Sequence, residues 1–206
     1  AEWVLSGEFV AGRPDWEVAG ARFVDDVAVH ETRKLTMLNG SHSLMAYAGP
    51  ILGLETVCDA INDSRIRAWV EEFWDDACTY HVHLAEPELA DYRAALVQRY
   101  ENPRVRHLLA QIAADGSQKV AIRHVPTITD ALARGEVAHG ATRGVAAWIL
   151  HLRGEGAPVN DPLADQLQAM VTGDETSSAM AVLDHLGINE QPVLEAVLAQ
   201  LDELRR

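Results

Sequence analysis

Lys34, Asn39 and His42 lie within the run ETRKLTMLNGSHS, from Glu31 to Ser43, where apolar residues recur at three and four. A primary amine, an amide and an imidazole at such spacing suit proton transfer at a hydroxyl or carbonyl oxygen. A lysine held neutral in a desolvated pocket acts as the base, the amide donates where negative charge develops, and the imidazole holds the oxygen. Read as an α-helix at about 100° per residue, the run places Asn39 about 140° and His42 about 80° round from Lys34, on one broad face. Glu31, one turn earlier, falls within reach of the Lys34 ammonium and is a candidate proton relay to solvent. Asn39 and Gly40 are weak helix formers in mid-helix, a local cost of about 1 kcal/mol or more that invites a functional reading. Spacing alone leaves a plainer alternative open: a solvated Lys34, an Asn39 bonded to its own backbone and a satisfied half-buried His42.

These side chains must be carried by a mainly α-helical domain. From about Glu31 onward, turn signals punctuate the chain every ten to twenty residues. The first long helix is expected from Glu31 to Tyr47, ending near Gly49-Pro50, and a second from Ile51 to Ile61. Ser64 is expected to cap a third, with Ile66, Trp69, Val70, Phe73 and Trp74 on its core face. Asn102 followed by Pro103 reads as an N-cap opening a helix that Asp115-Gly116 closes. Further helices are expected over Thr129 to Arg134, His139 to Leu152, Pro162 to Val171, Glu175 to Leu186 and Pro192 to Leu204. Before them, Trp3-Val4-Leu5 and Ala21-Arg22-Phe23-Val24 are short β-prone runs, expected as an extended arm or strands. The one plausible boundary lies near Val29, which gives an arm over 1–29 and a helical domain over 30–206.

The chain has 206 residues, enough for one large domain with a real core. Seventeen Lys and Arg against thirty-one Asp and Glu leave a net charge of −14, which disfavours nucleic acid and anionic membrane surfaces as partners. No apolar run approaches the ~20 residues of a membrane span. The first residues, AEWVLSGEFV, lack the basic, apolar, small-residue pattern of a signal peptide and are expected to come from the middle of a fold. The two cysteines, Cys58 and Cys78, are expected as buried thiols of a reducing, cytoplasmic compartment. In DACTYHVHLAE, from Asp76 to Glu86, His81 and His83 would face the same side of a strand and raise zinc. With no third ligand nearby, no metal is expected. The Gly-x-Gly-x-x-Gly of a dinucleotide fold is also missing, since Gly154-x-Gly156 is followed by Val159. Arg99, Arg104, Arg106 and Arg123 are too scattered in sequence to define an anion site.

The run KLTMLNGSHSLMAYAG from Lys34 resembles the signature of the polyol-specific long-chain dehydrogenases, the mannitol dehydrogenase and fructuronate reductase family. GRPDWE at Gly12, FVDDV at Phe23, NPRVRH at Asn102 and QIAADGSQK at Gln111 resemble further landmarks of that family, in their usual order. The resemblance implies the family's mainly helical C-terminal substrate domain, similar in fold to that of 6-phosphogluconate dehydrogenase. It implies metal-independent hydride transfer between NAD or NADP and a sugar alcohol, ketose, aldonate or keto-uronate. It makes Lys34 the acid/base, Asn39 and His42 the groups that polarise and orient the oxygen, and Lys119 a substrate ligand. Gln111 stands where some mannitol-type members carry arginine, and is carried over as a substrate-side position. The nucleotide-binding Rossmann domain would be a separate N-terminal part absent from this chain, which by itself is expected to be inactive. A stand-alone helical binding or assembly module on the same fold is the alternative.

Overall fold

The computed structural model describes residues 3–206. Two three-residue strands, β1 (Trp3–Leu5) and β2 (Ala21–Phe23), pair in parallel with Trp3 opposite Ala21 and Leu5 opposite Phe23. Phe9, Trp16 and Phe23 pack ring on ring between them, and the Arg13 guanidinium lies 3.5 Å above the Phe23 ring. Glu88 ties this arm to the helices, accepting from Arg22 at 2.9 Å and from Arg33 at 3.0 Å. The arm was expected as strands and is so.

The expected first helix is one continuous rod with a changed interior. It comprises α1 (Ala28–Arg33), a π-helical stretch over Lys34–Gly40, and α2 (Ser41–Ile51), which runs through Pro50 rather than stopping before it. The second expected helix shortens to α3 (Val57–Asn62), because Thr56 and Asp59 form a reciprocal capping box that fixes its start. Asp63, not Ser64, caps α4 (Ser64–Asp76), accepting from the N–H groups of Arg65 and Ile66. A second π-helical stretch over Ala77–His81 follows, then α5 (Glu86–Tyr100), whose weakly amphipathic sequence gave no helix signal.

Asn102-Pro103 does not open a helix. The Asn102 side chain accepts from the Arg104 N–H, closing a local turn, and the chain then pairs with 55–57 through Val57 N–H to His107 O and Leu109 N–H to Glu55 O. Only α6 (Leu109–Ile112) remains of that prediction. Asp115, at φ 57°, makes the left-handed turn into α7 (Gly116–Arg123), which the sequence also did not announce. α8 (Val125–Leu132) starts earlier than expected, with Pro126 in its first turn. α9 (His139–Leu152), α10 (Ala164–Met170), α11 (Glu175–His185) and α12 (Gln191–Leu204) fall where the periodicity puts them.

α9 is the centre of the molecule: every residue from Gly140 to Leu152 is buried, against α2, α4 and α12. A helix apolar on nearly every side belongs in an interior; its buried Arg143 is paired with Glu72 and Glu203, and Trp74, Tyr47 and Phe73 fill the space about it. Cys58 and Cys78 are free thiols, half-buried rather than buried. No helix among the described residues is long and apolar enough to cross a membrane.

Candidate active site

The π-helical stretch changes the geometry expected of the motif. Its hydrogen bonds run i→i+5, so a residue lies over the one five before it. Lys34 and Asn39 are five apart, so the π register brings them toward one face where an α-helix would hold them about 140° apart. Lys34 is exposed, Asn39 half-buried and His42 buried at 9 % exposure. Glu31 is exposed one turn before Lys34, and no ion pair joins them among the described residues. Gly40 has a packing reason that sequence reading denied it. A Cβ there would come within 2.6 Å of the Phe73 ring and 3.3 Å of the Arg123 carbonyl.

The His42 ring sits 4.9 Å from the Tyr100 ring and 5.4 Å from the His107 ring. Burial, followed by the nearby His107, Arg99 and Arg123, pushes its pKa down to about 3. The imidazole is therefore neutral at pH 7, with one nitrogen able to donate and the other to accept.

α7 brings the second half of the site. Ser117 anchors its first turn by two bonds of 2.8 Å to Asp161, and Gly116 fits where a Cβ would meet Trp148 Nε1 at 2.4 Å. One turn on, the Lys119 ammonium donates to the carbonyls of Ala114 at 2.6 Å and Ile112 at 3.1 Å. Burial and then the charge of Arg123 lower the Lys119 pKa. Arg123 itself donates from Nη1 to Asn39 O at 3.2 Å and to Ser43 Oγ at 2.9 Å, locking α7 to the motif. Gln111 is exposed on α6, next in chain to the Ile112 carbonyl that holds Lys119.

The structure thus joins Asn39 and the Lys119 helix through Arg123, which its scatter in sequence set aside, and packs His42 against Tyr100 and His107, which were not singled out. Arg123 had a signal, four residues after Lys119 and so on the same helical face. His107 lies inside NPRVRH, one of the quoted landmarks, while Tyr100 had no signal. Lys34, Lys119 and Arg123 have no carboxylate within ion-pair distance among the described residues, although the chain carries a net charge of −14. Asp115 and Asp161 act on Lys119 only from a distance, each opposing the lowering of its pKa.

The Asp76 to Glu86 stretch is not a strand. His81 bonds Asp130 at 2.7 Å from the end of the second π-helical stretch, His83 is exposed, and no group of three metal-ligating side chains occurs among the described residues. An open groove of 570 Å³ between α4 and α5 contains none of the motif residues, and its charges are already spent, Arg67 on Glu71 and Arg93 on Asp75. The described residues offer no glycine-rich strand-to-helix turn for a dinucleotide pyrophosphate; both strands are three residues long and neither leads into one.

The family model described as mannitol dehydrogenase C-terminal domain matches residues 26–204. An uncharacterized oxidoreductase of Escherichia coli, YdfI, is 38 % identical over 185 residues, 86 % of this chain and 38 % of that protein. The D-mannonate oxidoreductase of the same organism is 35 % identical over 204 residues, 93 % of this chain and 41 % of that protein. Among solved structures, the Pseudomonas fluorescens mannitol 2-dehydrogenase ternary complex with NAD and D-mannitol superposes with a TM-score of 0.81 at 31 % identity, covering 99 % of this chain and 43 % of that one. The chain spans about two fifths of the length of these relatives. Family match, sequence relatives and fold agree with the motif in α1 to α2, and the chain belongs to the mannitol dehydrogenase C-terminal domain family, whose relatives are oxidoreductases.

Proposed function

We propose that this chain is the substrate and catalytic domain of an NAD- or NADP-dependent oxidoreductase that interconverts a sugar alcohol or aldonate with its ketose or keto-uronate. The observation that supports this reading most is the π register of Lys34–Gly40, in which residues five apart, as Lys34 and Asn39 are, fall toward one face, with His42 three residues on. In this reading residues 1–29 are an interdomain segment and 30–206 hold the substrate. Hydride acceptance and donation belong to NAD or NADP, held by a nucleotide-binding domain that this chain does not supply.

The structure exposes Lys34, where the sequence predicts a desolvated pocket; in this reading Lys34 takes the alcohol proton in oxidation and returns one to the carbonyl oxygen in reduction. Asn39 donates from its side-chain amide to that oxygen as it gains charge. Neutral His42 donates to the same oxygen and fixes its direction, which a ring wedged between Tyr100 and His107 can do without reorganising. Glu31, exposed one turn before Lys34, passes the proton to water. Lys119, with Gln111 at the neighbouring corner, faces the hydroxyls away from the reacting carbon. No metal is needed, because the lysine and the amide meet the charge that a metal would otherwise stabilise.

The test is NADH- and NADPH-dependent reduction of fructose and fructuronate by the chain joined to a nucleotide-binding domain, beside Lys34→Ala and the 206-residue chain alone. Turnover that requires both the added domain and Lys34, and survives chelators, supports the reading. Full activity in Lys34→Ala overturns it.

A further inference from the structure

Three consecutive main-chain carbonyls of the Lys34–Gly40 stretch receive donors from three different helices. Trp74 Nε1 of α4 donates to Met37 O at 2.9 Å, the Tyr100 hydroxyl of α5 to Leu38 O at 3.1 Å, and Arg123 Nη1 of α7 to Asn39 O at 3.2 Å. Ser41, the first residue after the stretch, donates its hydroxyl to Met37 O at 2.5 Å, so the single Tyr100 hydroxyl proton is shared between Leu38 O and Ser41 Oγ, the latter at 2.9 Å. Where a helix passes from α to π register and back, the i→i+4 ladder is interrupted, and carbonyls at the junction lose their usual partners. Buried carbonyls without donors are costly, so such a register persists only if donors come from elsewhere. The second π-helical stretch is different, because it ends its helix: Arg134 donates there to Thr79 O at 3.0 Å and Tyr80 O at 3.4 Å, carbonyls that any helix C-terminus leaves open.

We propose that Tyr100 is a positioning residue of the site, which with Trp74 and Arg123 holds the π register that brings Asn39 toward the face of Lys34. The inference rests on the reading of Lys34, Asn39 and His42 as the proton-transfer group. Tyr100 is singled out among the three donors because it acts twice. Its hydroxyl bonds Leu38 inside the stretch and Ser41 at its exit, while its ring, 2 % exposed, lies 4.9 Å from His42. Leu38 O keeps the Ser41 N–H and hydroxyl as donors, so Tyr100→Phe removes not its last partner but the bond that ties this carbonyl to α5, and without that tie the stretch slips back toward the i→i+4 register. That slip rotates Asn39 away from Lys34.

The discriminating variant is Tyr100→Phe, which keeps the ring against His42 and removes only the donor. In the enzyme joined to its nucleotide-binding domain, kcat for ketone reduction falls about tenfold or more, since small misplacements of reacting groups cost that much. KM stays within about twofold because the substrate's remote contacts are untouched. Arg123→Lys, which can still donate to Asn39 O, retains more kcat than Arg123→Met. Amide hydrogen exchange of the 206-residue chain supplies a readout independent of turnover. Tyr100→Phe speeds exchange at 38–43 and leaves α11 and α12 unchanged. Unaltered exchange there, or an unaltered kcat in Tyr100→Phe, overturns the proposal. If instead Lys34→Ala remains fully active, the proton-transfer reading is what has failed, and the exchange result still decides the role of Tyr100.

Discussion

The Asp76 carboxylate, at the last residue of α4, accepts from the main-chain N–H of Gly140 at 2.6 Å and of Ala141 at 3.1 Å, at the start of α9. The residue before α9 is Ala138, which has no side chain to cap it, so α4 supplies the cap across the interface. Asp76→Ala strands two N–H groups against a buried helix and is expected to cost about 2 kcal/mol in urea unfolding. A loss of a few tenths would show that water or neighbouring groups replace the cap.

Gly140 is the tightest point of the same interface. A Cβ there would stand 2.4 Å from the Phe73 backbone nitrogen and 2.6 Å from the Glu72 carbonyl carbon. Main chain cannot swing aside as a side chain does, so Gly140→Ala must part α4 from α9. We expect a loss of about 3 kcal/mol or more, exceeding that of Asp76→Ala, read from the shift in urea midpoint.

Stability should rise with pH on the acid side. Burial pushes His42 and His124 down to about 3 and His151 down to about 4, from an ordinary value of 6.5. In that window the unfolded chain binds protons that the folded chain refuses, so stability present above pH 6.5 is lost as pH falls toward these values. Asp76 acts in the opposite sense. Burial raises it from 3.8 to about 6, so its contribution is greatest below pH 3.8 and declines as pH rises through 6. Three groups outweigh one, and urea unfolding at pH 4.5 and pH 7 should show the lower stability at pH 4.5. His124→Gln, with nothing to titrate at that position, should have a shallower dependence than the parent chain.

How the chain announces its fold follows from which interactions decide each element. His139–Leu152 and Gln191–Leu204 could be read directly, because long apolar periodicity reflects burial, and burial determines them. Asn102-Pro103 misled because the same residues that cap a helix also close a turn, and pairing with 55–57 took the following backbone. α7 begins at a glycine, a poor helix former, whose requirement is the fit against Trp148 and Tyr47. In the site, residue types and spacing singled out Lys34, Asn39 and His42. The π register could not be read, because it depends on donors 37, 62 and 84 residues distant in sequence. The oddity of Asn39 and Gly40 in mid-helix was its only trace.

Lys119 offers a way to separate holding a substrate from holding the fold. Its ammonium bonds the carbonyls of Ala114 and Ile112, at the corner where α6 leads into α7, and it lies one turn before Arg123 on the same helix. As a strap, it fastens the corner; as a substrate ligand, it offers its remaining donor to a hydroxyl. Lys119→Met keeps the stem's packing and removes both functions. If the ligand role is real, KM for the ketone rises about tenfold, the worth of one charged hydrogen bond, while kcat changes less. If the lysine only straps the corner, Lys119→Met lowers the unfolding midpoint and leaves KM in the remaining folded enzyme where it was. Steady-state kinetics alongside urea unfolding of the one variant tells the two apart, and the first pattern is the one expected, because Lys119 forms no ion pair among the described residues of a chain rich in carboxylates.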